Sequence, residues 1–385
     1  MKTPIYLDYN ATTPHEPAVV AVMKPYLTEY FGNPSSSYQY GVQTKEAVEN
    51  ARKQVALLLH CDPSEIVFTS GGTESNNYAL KGAAFHNRHK GNHIITTQIE
   101  HPAVLEVCKY LESNGFEVTY LPVDEYGIVR VTDVEKSITS KTILITVMHA
   151  NNEVGSVQPI AEISALAKEN GILVHTDAAQ SIGKISTDVR HLGVDLLSIA
   201  GHKVYAPKGI GALYIRKGVA LEAIIHGAGQ EQGRRPGTEN VLEIVGLGKA
   251  CEIAERELKK NMHHMKEMRD RLHNGLKGKI KGLKVNGHPE ERLPNTLSLS
   301  FKDLDANNII SQIMDEVAVS AGAACHSDRV ELSHVLKAMN IPLEWARGTI
   351  RFSMGKMTTA NEIDHASEIV THAVQRLLQV ENSDG

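Results

Sequence analysis

Between residues 65 and 217, short runs dominated by Val, Ile, Leu and Thr alternate with longer stretches whose apolar residues recur at helical spacing. The runs 65–70, 93–98, 117–123, 141–148, 171–178, 194–201 and 211–217 predict strands. Several lack the apolar–polar alternation of a sheet with one wet face. Strands buried on both faces have this composition, which predicts a largely parallel sheet covered by helices. The stretches 42–59, 75–86, 103–114 and 160–169 predict those helices. Gly115 and Gly171 follow two of them closely, where the chain favours glycine to leave a helix through left-handed backbone. The alternation is that of an α/β fold.

After residue 240 the pattern changes. Residues 241–279 form a long, heavily charged helical stretch that predicts a connecting helix. Next come strand and helix patterns at 295–301, 306–316, 318–321, 332–339, 349–353 and 360–378, which predict a second, smaller α/β layer. A chain of 385 residues has room for more than one core.

Composition narrows the function classes. Forty Lys and Arg against 45 Asp and Glu leave a net charge of −5, without the basic balance of a dedicated nucleic-acid binder. No apolar run reaches the roughly 18 residues of a membrane-spanning helix, and the first residues lack the apolar core of a signal peptide. Four cysteines, none spaced C-x-x-C, rule out a disulfide-dense scaffold and a zinc ribbon. Nineteen histidines invite a metal, but His263-His264 and His86/His89 lack Cys or acidic companions at ligand spacing. The expectation is a reduced, cytoplasmic protein without a metal.

Five local features bear on chemistry, and each has an ordinary reading beside the functional one. Lys203 ends an apolar strand pattern; it is either a surface lysine in a turn or a desolvated amine suited to Schiff-base chemistry. Asp177 closes another strand, either as a helix cap or as the partner of a pyridinium nitrogen. Ligands of open α/β sheets bind outside these strand ends. Phe68–Asn77 reads as strand, Gly-Gly turn and helix start, an anion cradle that matches neither the dinucleotide nor the P-loop spacing. Cys325, next to His326 and among small residues, suggests a flexible or closely packed loop with an inert or a nucleophilic thiol. Arg351, in a strand-like run, is a structural ion-pair former or a carboxylate clamp. The segment 227–237, rich in glycine, suits a phosphate cradle or equally a mobile surface or subunit-contact loop.

Together these segments resemble one family over about residues 4 to 375. The motifs are Tyr6–Pro14, Gly32–Ser36, Phe68–Asn77, Glu100-His101, Asn151–Gly155, His175–Gln180, Gly201-His202-Lys203, Arg235–Thr238, the Cys325 segment and Ile350–Ser353. In this order they are similar to the cysteine desulfurases of the nitrogen-fixation and iron–sulfur-cluster type, class V of the fold-type I pyridoxal-phosphate enzymes. The resemblance implies a large domain, 13–258, with a mostly parallel seven-stranded sheet. It implies a smaller α/β domain, 1–12 and 259–385, carrying the cysteine. It also implies pyridoxal 5'-phosphate as cofactor. Lys203 would hold it covalently and move protons at the substrate α-carbon. Asp177 would pair with its ring nitrogen, and His101 would stack on the ring and assist proton transfer. Gln180 and Asn152 would lie near its phenolic oxygen and the substrate. Gly72, Thr73 and His202 would bind its phosphate. Thr238 would reach the phosphate in the other subunit of a homodimer. Arg351 would clamp the substrate carboxylate, and Cys325 would accept sulfur from L-cysteine, leaving alanine and a persulfide for an acceptor such as an iron–sulfur scaffold.

Two departures from the family pattern matter. Ala200 stands where many members have a phosphate-binding serine. The Cys-His-Ser-Asp run at 325–328, with Tyr9-Asn10, Gly71–Thr73 and Arg235–Asn240, looks like selenocysteine lyases acting on L-selenocysteine. The eight-residue step from Cys325 to Ser333 fits the desulfurases, which is the reading preferred. An aminotransferase on the same fold, or an assembly scaffold without turnover, are the readings from other classes.

Overall fold

The computed structural model describes residues 3–326 and 329–381; for 323–326, 329–331, 380 and 381 only the backbone is described. All seven strands expected in the first half form one sheet. Its order is Ile66–Thr69, Gly211–Ile215, Leu196–Ala200, Leu173–Asp177, Thr142–Thr146, His93–Thr97 and Glu117–Leu121. Only Gly211–Ile215 runs against its neighbours. Successive residues explain the missing alternation. Val67, Ile94, Leu144, Leu196 and Leu213 enter one apolar core. Phe68, Ile95, Ile145, Leu197 and Ala212 enter another, with the pleat sending neighbours to opposite faces. Helices Gly72–Asn87 and Pro102–Ser113 supply side chains to the first core, and Gln39–Leu59 and Ile160–Glu169 to the second. Gly115 and Gly171 have φ of +87° and +68°, the left-handed exits expected of them.

The helix Val241–Leu276 joins two regions. Its first half, through Ile244, Leu247 and Cys251, belongs to the large sheet's second core. Its second half, through Met268, Leu272 and Leu276, packs under a smaller sheet. The expected alternation of strands and helices holds here: Thr296–Phe301, Ala306–Ile313, Ser320–Ala321, His334–Ala338, Thr349–Ser353 and Ala360–Glu381 follow in that order. The sheet is antiparallel, in the order Ser320–Ala321, Thr349–Ser353, Thr296–Phe301 and Leu283–Asn286. The strand Leu283–Asn286 escapes a hydropathy reading because Lys284 and Asn286 interrupt it. The N-terminal Ile5–Tyr6 pairs in parallel with Val317–Ala318, and Asp8 bridges to Ser353. The N-terminal chain thus runs from beside the small sheet toward the large one, where the Thr13 amide donates to the His202 carbonyl.

One correction concerns the cysteine segment. The expectation was a loop; the backbone instead forms a hairpin, Ala323–His326 against Arg329–Leu332, with Cys325 opposite Val330. The structure adds detail to residues 227–237. Here Glu231 and Gln232 adopt φ of +48° and +59°, which costs a non-glycine residue about 1–2 kcal/mol. A buried ion pair offsets this. Both Glu231 carboxylate oxygens accept from Arg52, at 2.7 and 2.8 Å, and one also accepts from the Phe68 amide at 2.9 Å. The Arg52 guanidinium also donates to the Ile66 carbonyl and lies 4.8 Å from the Phe68 ring centre. The segment is therefore pinned to the sheet edge. Replacing Glu231 by Ala strands a buried guanidinium and should cost about 3–5 kcal/mol in urea unfolding, against less than about 1 kcal/mol for Glu49→Ala. A loss from Glu231→Ala no larger than that from Glu49→Ala would show that the pair does not hold the segment.

Candidate active site

Parallel strands end on the same side of a sheet, so the turns after them converge. Thr69 leads to Gly72 and Thr73, Thr97 to His101, Thr146 to Asn152, Leu173–Asp177 to Gln180, and Ala200 to His202 and Lys203. These residues, with Asn10, Asn76 and Arg351, line one cavity of about 320 Å³. That volume is at the lower end of the range for small-molecule and cofactor sites. Of the site residues expected from the sequence, the cavity gathers Gly72, Thr73, His101, Asn152, Asp177, Gln180, His202, Lys203 and Arg351. Thr238 lies elsewhere, lining a separate cavity with Ser70 and Arg235. The backbone of Cys325 is in the hairpin, and its side chain lies outside the described ones.

Lys203 is half-buried, on a short helical turn after Leu196–Ala200. Its Nζ donates to the carbonyls of Asn10 at 2.6 Å and Ala11 at 2.8 Å. Desolvation, and then the Arg351 charge, bring its pKa down to about 8, so the reading as an ordinary surface lysine fails. Asp177 is buried; Oδ2 accepts from Asn76 Nδ2 at 2.7 Å and Oδ1 from the Ala179 amide at 2.9 Å. The second bond is the local turn of the ordinary reading; the first commits the other oxygen to the cavity wall. The Asn76 Oδ1 is itself buried without a partner.

His101 caps Pro102–Ser113, its Nδ1 accepting from the Ala103 amide at 3.1 Å. A neutral imidazole there carries its proton on Nε2. Desolvation outweighs the Asp177 carboxylate and holds its pKa below the usual value, although the residue as a whole is exposed. Burial, then Lys203, lowers His202 to about 4. Gly72 opens the helix Gly72–Asn87, whose N-cap Gly71 has no capping side chain. A Cβ at Gly72 would come within 3.2 Å of the Ala200 Cβ, so glycine keeps this corner of the cavity open.

Arg351 donates to Asp8 at 2.8 Å, to the Asn152 carbonyl at 3.0 Å and to Ser320 Oγ at 3.0 Å, while its Nε is buried without a partner. Ser320 stands opposite Arg351 in the small sheet, five residues before Cys325. The other thiols are unsuited to nucleophilic work. Burial pushes Cys61, Cys108 and Cys251 up to about 12, so they stay protonated at neutral pH.

Sequence reasoning passed over Asn10 and Asn76 as site residues. Both lie inside motifs already singled out, but a buried asparagine has no hydropathy or charge signature. It is found by what it bonds. Lys184, also missed, is buried and donates to Gln180 Oε1 at 2.9 Å.

The comparisons with known proteins agree with this geometry. The family model described as aminotransferase class-V matches residues 5–365. A cysteine desulfurase IscS of Methanosarcina thermophila is 50% identical over 374 residues, covering 97% of this chain and 92% of the relative. One of Dictyoglomus turgidum is 48% identical over 378 residues, covering 98% and 96%. A solved NifS-like protein superposes with a TM-score of 0.91 at 40% identity, covering 97% of this chain and 100% of that one. A solved SspA in complex with cysteine gives 0.80 at 38% identity, covering 92% and 99%. The class-V family is pyridoxal-phosphate dependent. An amine of lowered pKa, a buried carboxylate and an arginine around one cavity are what such a cofactor requires, and the chain belongs to the class-V aminotransferase family, in its cysteine desulfurase group.

Proposed function

We propose that the protein converts L-cysteine to L-alanine and takes the sulfur as a persulfide on Cys325. The observation that carries this reading is the joining of Cys325 to the arginine. The hairpin continues from the strand whose Ser320 both pairs with Arg351 and accepts its hydrogen bond. A carboxylate held by Arg351 would therefore lie close to the base of the hairpin. An aminotransferase needs no such arrangement.

The cavity suits pyridoxal 5'-phosphate. The open corner at Gly72 and the uncapped helix start suit a phosphate, and the unpartnered Asn76 Oδ1 and Arg351 Nε leave polar groups for a guest. When bound, the cofactor supplies an electron sink for the charge left as the substrate loses its α-proton. In this reading Lys203 anchors it and carries the proton at the α-carbon. Asp177, held by Asn76, would pair with the ring nitrogen and keep it protonated. His101, on the cavity wall, would stack on the ring. Gln180 and Asn152 orient the phenolic oxygen and the substrate. Gly72, Thr73 and His202 hold the phosphate. The Cys325 thiolate forms an S–S bond to the substrate sulfur as the C–S bond breaks. The C–S electron pair returns to the substrate's β-carbon, which takes a proton and leaves as alanine.

The reading extends to a homodimer in which Thr238 serves the neighbouring site. Supporting this, Leu27, Phe31, Tyr38 and Tyr40 leave 67%, 75%, 61% and 56% of their surface exposed, apolar surface of the kind a second copy would cover. It divides the chain into a cofactor domain, 13–258, and a smaller domain of 1–12 and 259–385. It places the protein in a reducing cytoplasm, because an oxidised Cys325 cannot attack. The persulfide is destined for an acceptor protein such as an iron–sulfur scaffold. The described helices include none long and apolar enough to cross a membrane.

Steady-state rates on L-cysteine and L-selenocysteine, with alanine and sulfide or selenide quantified, test the substrate. Efficient cysteine turnover is expected; negligible cysteine turnover beside fast selenocysteine turnover would make the enzyme a selenocysteine lyase. Arg351→Lys should raise the KM for L-cysteine about tenfold by losing the guanidinium fork, with a smaller change in kcat. An unchanged KM would remove Arg351 from carboxylate binding. Only the unprotonated Lys203 amine attacks an aldehyde. Cofactor uptake by the apoprotein, followed by absorbance, should therefore accelerate with pH around a midpoint near 8. A midpoint above 10 would contradict the lowered pKa.

A further inference from the structure

The hairpin carrying Cys325 is closed at its base by Gly322 and Ser333, the Ser333 amide donating to the Gly322 carbonyl at 3.2 Å. Gly322 is seated on the small sheet: its amide donates to the Thr349 carbonyl, and a Cβ there would come within 2.9 Å of Thr349. The other side of the base is held differently. Ser333 caps the helix His334–Ala338, its Oγ accepting from the Val335 amide at 3.0 Å. The same hydroxyl donates to Glu153 at 2.5 Å, and Glu153 adjoins Asn152. His334 Nε2 donates to the Glu100 carbonyl at 2.9 Å, and Glu100 adjoins His101.

The two loops so contacted are tied to each other. Asn151 Nδ2 donates to the Ile99 carbonyl at 3.1 Å, and Asn151 Oδ1 accepts from the amides of Glu153 and Val154. The Glu100 side chain is fully buried and accepts from Thr97 Oγ1 and the Met148 amide. Beneath these bonds a small apolar core joins Ile99, Met148 and Val154 of the cofactor loops to Val335, Leu336 and Met339. A cleft of about 420 Å³ runs between hairpin base and cofactor cavity, lined by Glu153, Ser333 and His334 and sharing Asn152 and Arg351 with that cavity.

The geometry points to Ser333 and His334 as positioning residues for sulfur transfer, clasping the base of the Cys325 hairpin to the loops that carry His101 and Asn152. This rests on the reading of Cys325 as sulfur acceptor. The clasp sets where the hairpin starts relative to the substrate, so its loss slows transfer more than it weakens substrate binding. The apolar core beneath remains when the hydroxyl is removed, so the fold survives.

The test uses the holoenzyme. Ser333→Ala is expected to lower kcat for alanine formation about tenfold while KM for L-cysteine stays within about twofold. Alkylation of Cys325 by iodoacetamide, read by peptide mass spectrometry, should accelerate severalfold, and the cofactor absorbance should not change. Ser333→Thr, which restores the hydroxyl, should recover both values. Glu153→Ala, which leaves the helix cap intact, should reproduce the Ser333→Ala effects, and the double variant should add little to either. Unchanged kcat and alkylation in Ser333→Ala, failure of Ser333→Thr to rescue, or full additivity of the two alanine variants would overturn the clasp. A parent enzyme that forms no persulfide on Cys325 would overturn the acceptor assignment beneath it, an outcome separate from all of these.

Discussion

Asn10 is the residue on which the two halves of the molecule meet. It is almost wholly buried, and its backbone and side chain bond in every direction. Its carbonyl accepts from Lys203 at 2.6 Å and from Gln180 Nε2 at 2.9 Å. Its Oδ1 accepts from Asn295 at 2.9 Å and from Lys184 at 3.4 Å. Its Nδ2 donates to Thr296 at 2.8 Å and to the Asn152 carbonyl at 3.1 Å, and its amide donates to Ser353. Asn295, Thr296 and Ser353 belong to the small sheet and its approach; Lys203, Gln180 and Lys184 follow strands of the large one. The Lys203 amine is thus registered against the region carrying Arg351. Each of these buried groups would cost about 1–3 kcal/mol if left without its partner, so the network fixes the relative placement of the two regions.

The same burial creates reactivity. Lys203 gives up part of its charge because the cavity strips it of water and Arg351 repels it. His202 and His101 are pushed toward neutrality by the same desolvation. What sets Lys203 apart from the buried Lys184 is its reach into the cavity. What sets Cys325 apart from Cys108 and Cys251 is its place in a hairpin beside the arginine, while theirs are in packed helices.

Much of this was legible in the sequence. The large sheet could be read because Ile94-Ile95, Leu144-Ile145 and Leu196-Leu197 place apolar residues on both faces, a pattern with few alternatives. Eight of the nine expected site residues in the cavity converge because each sits at or just past the end of a strand of the large sheet, whose parallel strands bring those ends together, while Arg351 reaches in from the small sheet. The strands and helices of the small sheet were legible in the same way, but not its antiparallel order, since hydrophobic spacing marks a strand without saying which way it runs. The hairpin at Cys325 was missed because Ala, Gly and Ser have weak strand propensity and their pairing is decided by the sheet they leave. Asn10, Asn76 and Ser333 act through single hydrogen bonds to residues far away in the chain, which no local pattern encodes. Thr238 is the reverse case: its motif stands out in the sequence, yet within one chain it lies apart from the cavity, and the role proposed for it requires a second copy.

The central claim is that Lys203 and Cys325 divide the chemistry, one holding the cofactor and the other receiving sulfur. Replacing Cys325 by Ala tests it most directly, with cofactor absorbance and protein-bound persulfide measured on one preparation after exposure to L-cysteine. The account predicts an absorbance like that of the parent and no persulfide. Persulfide retained in the variant, or absorbance lost together with it, would contradict that division.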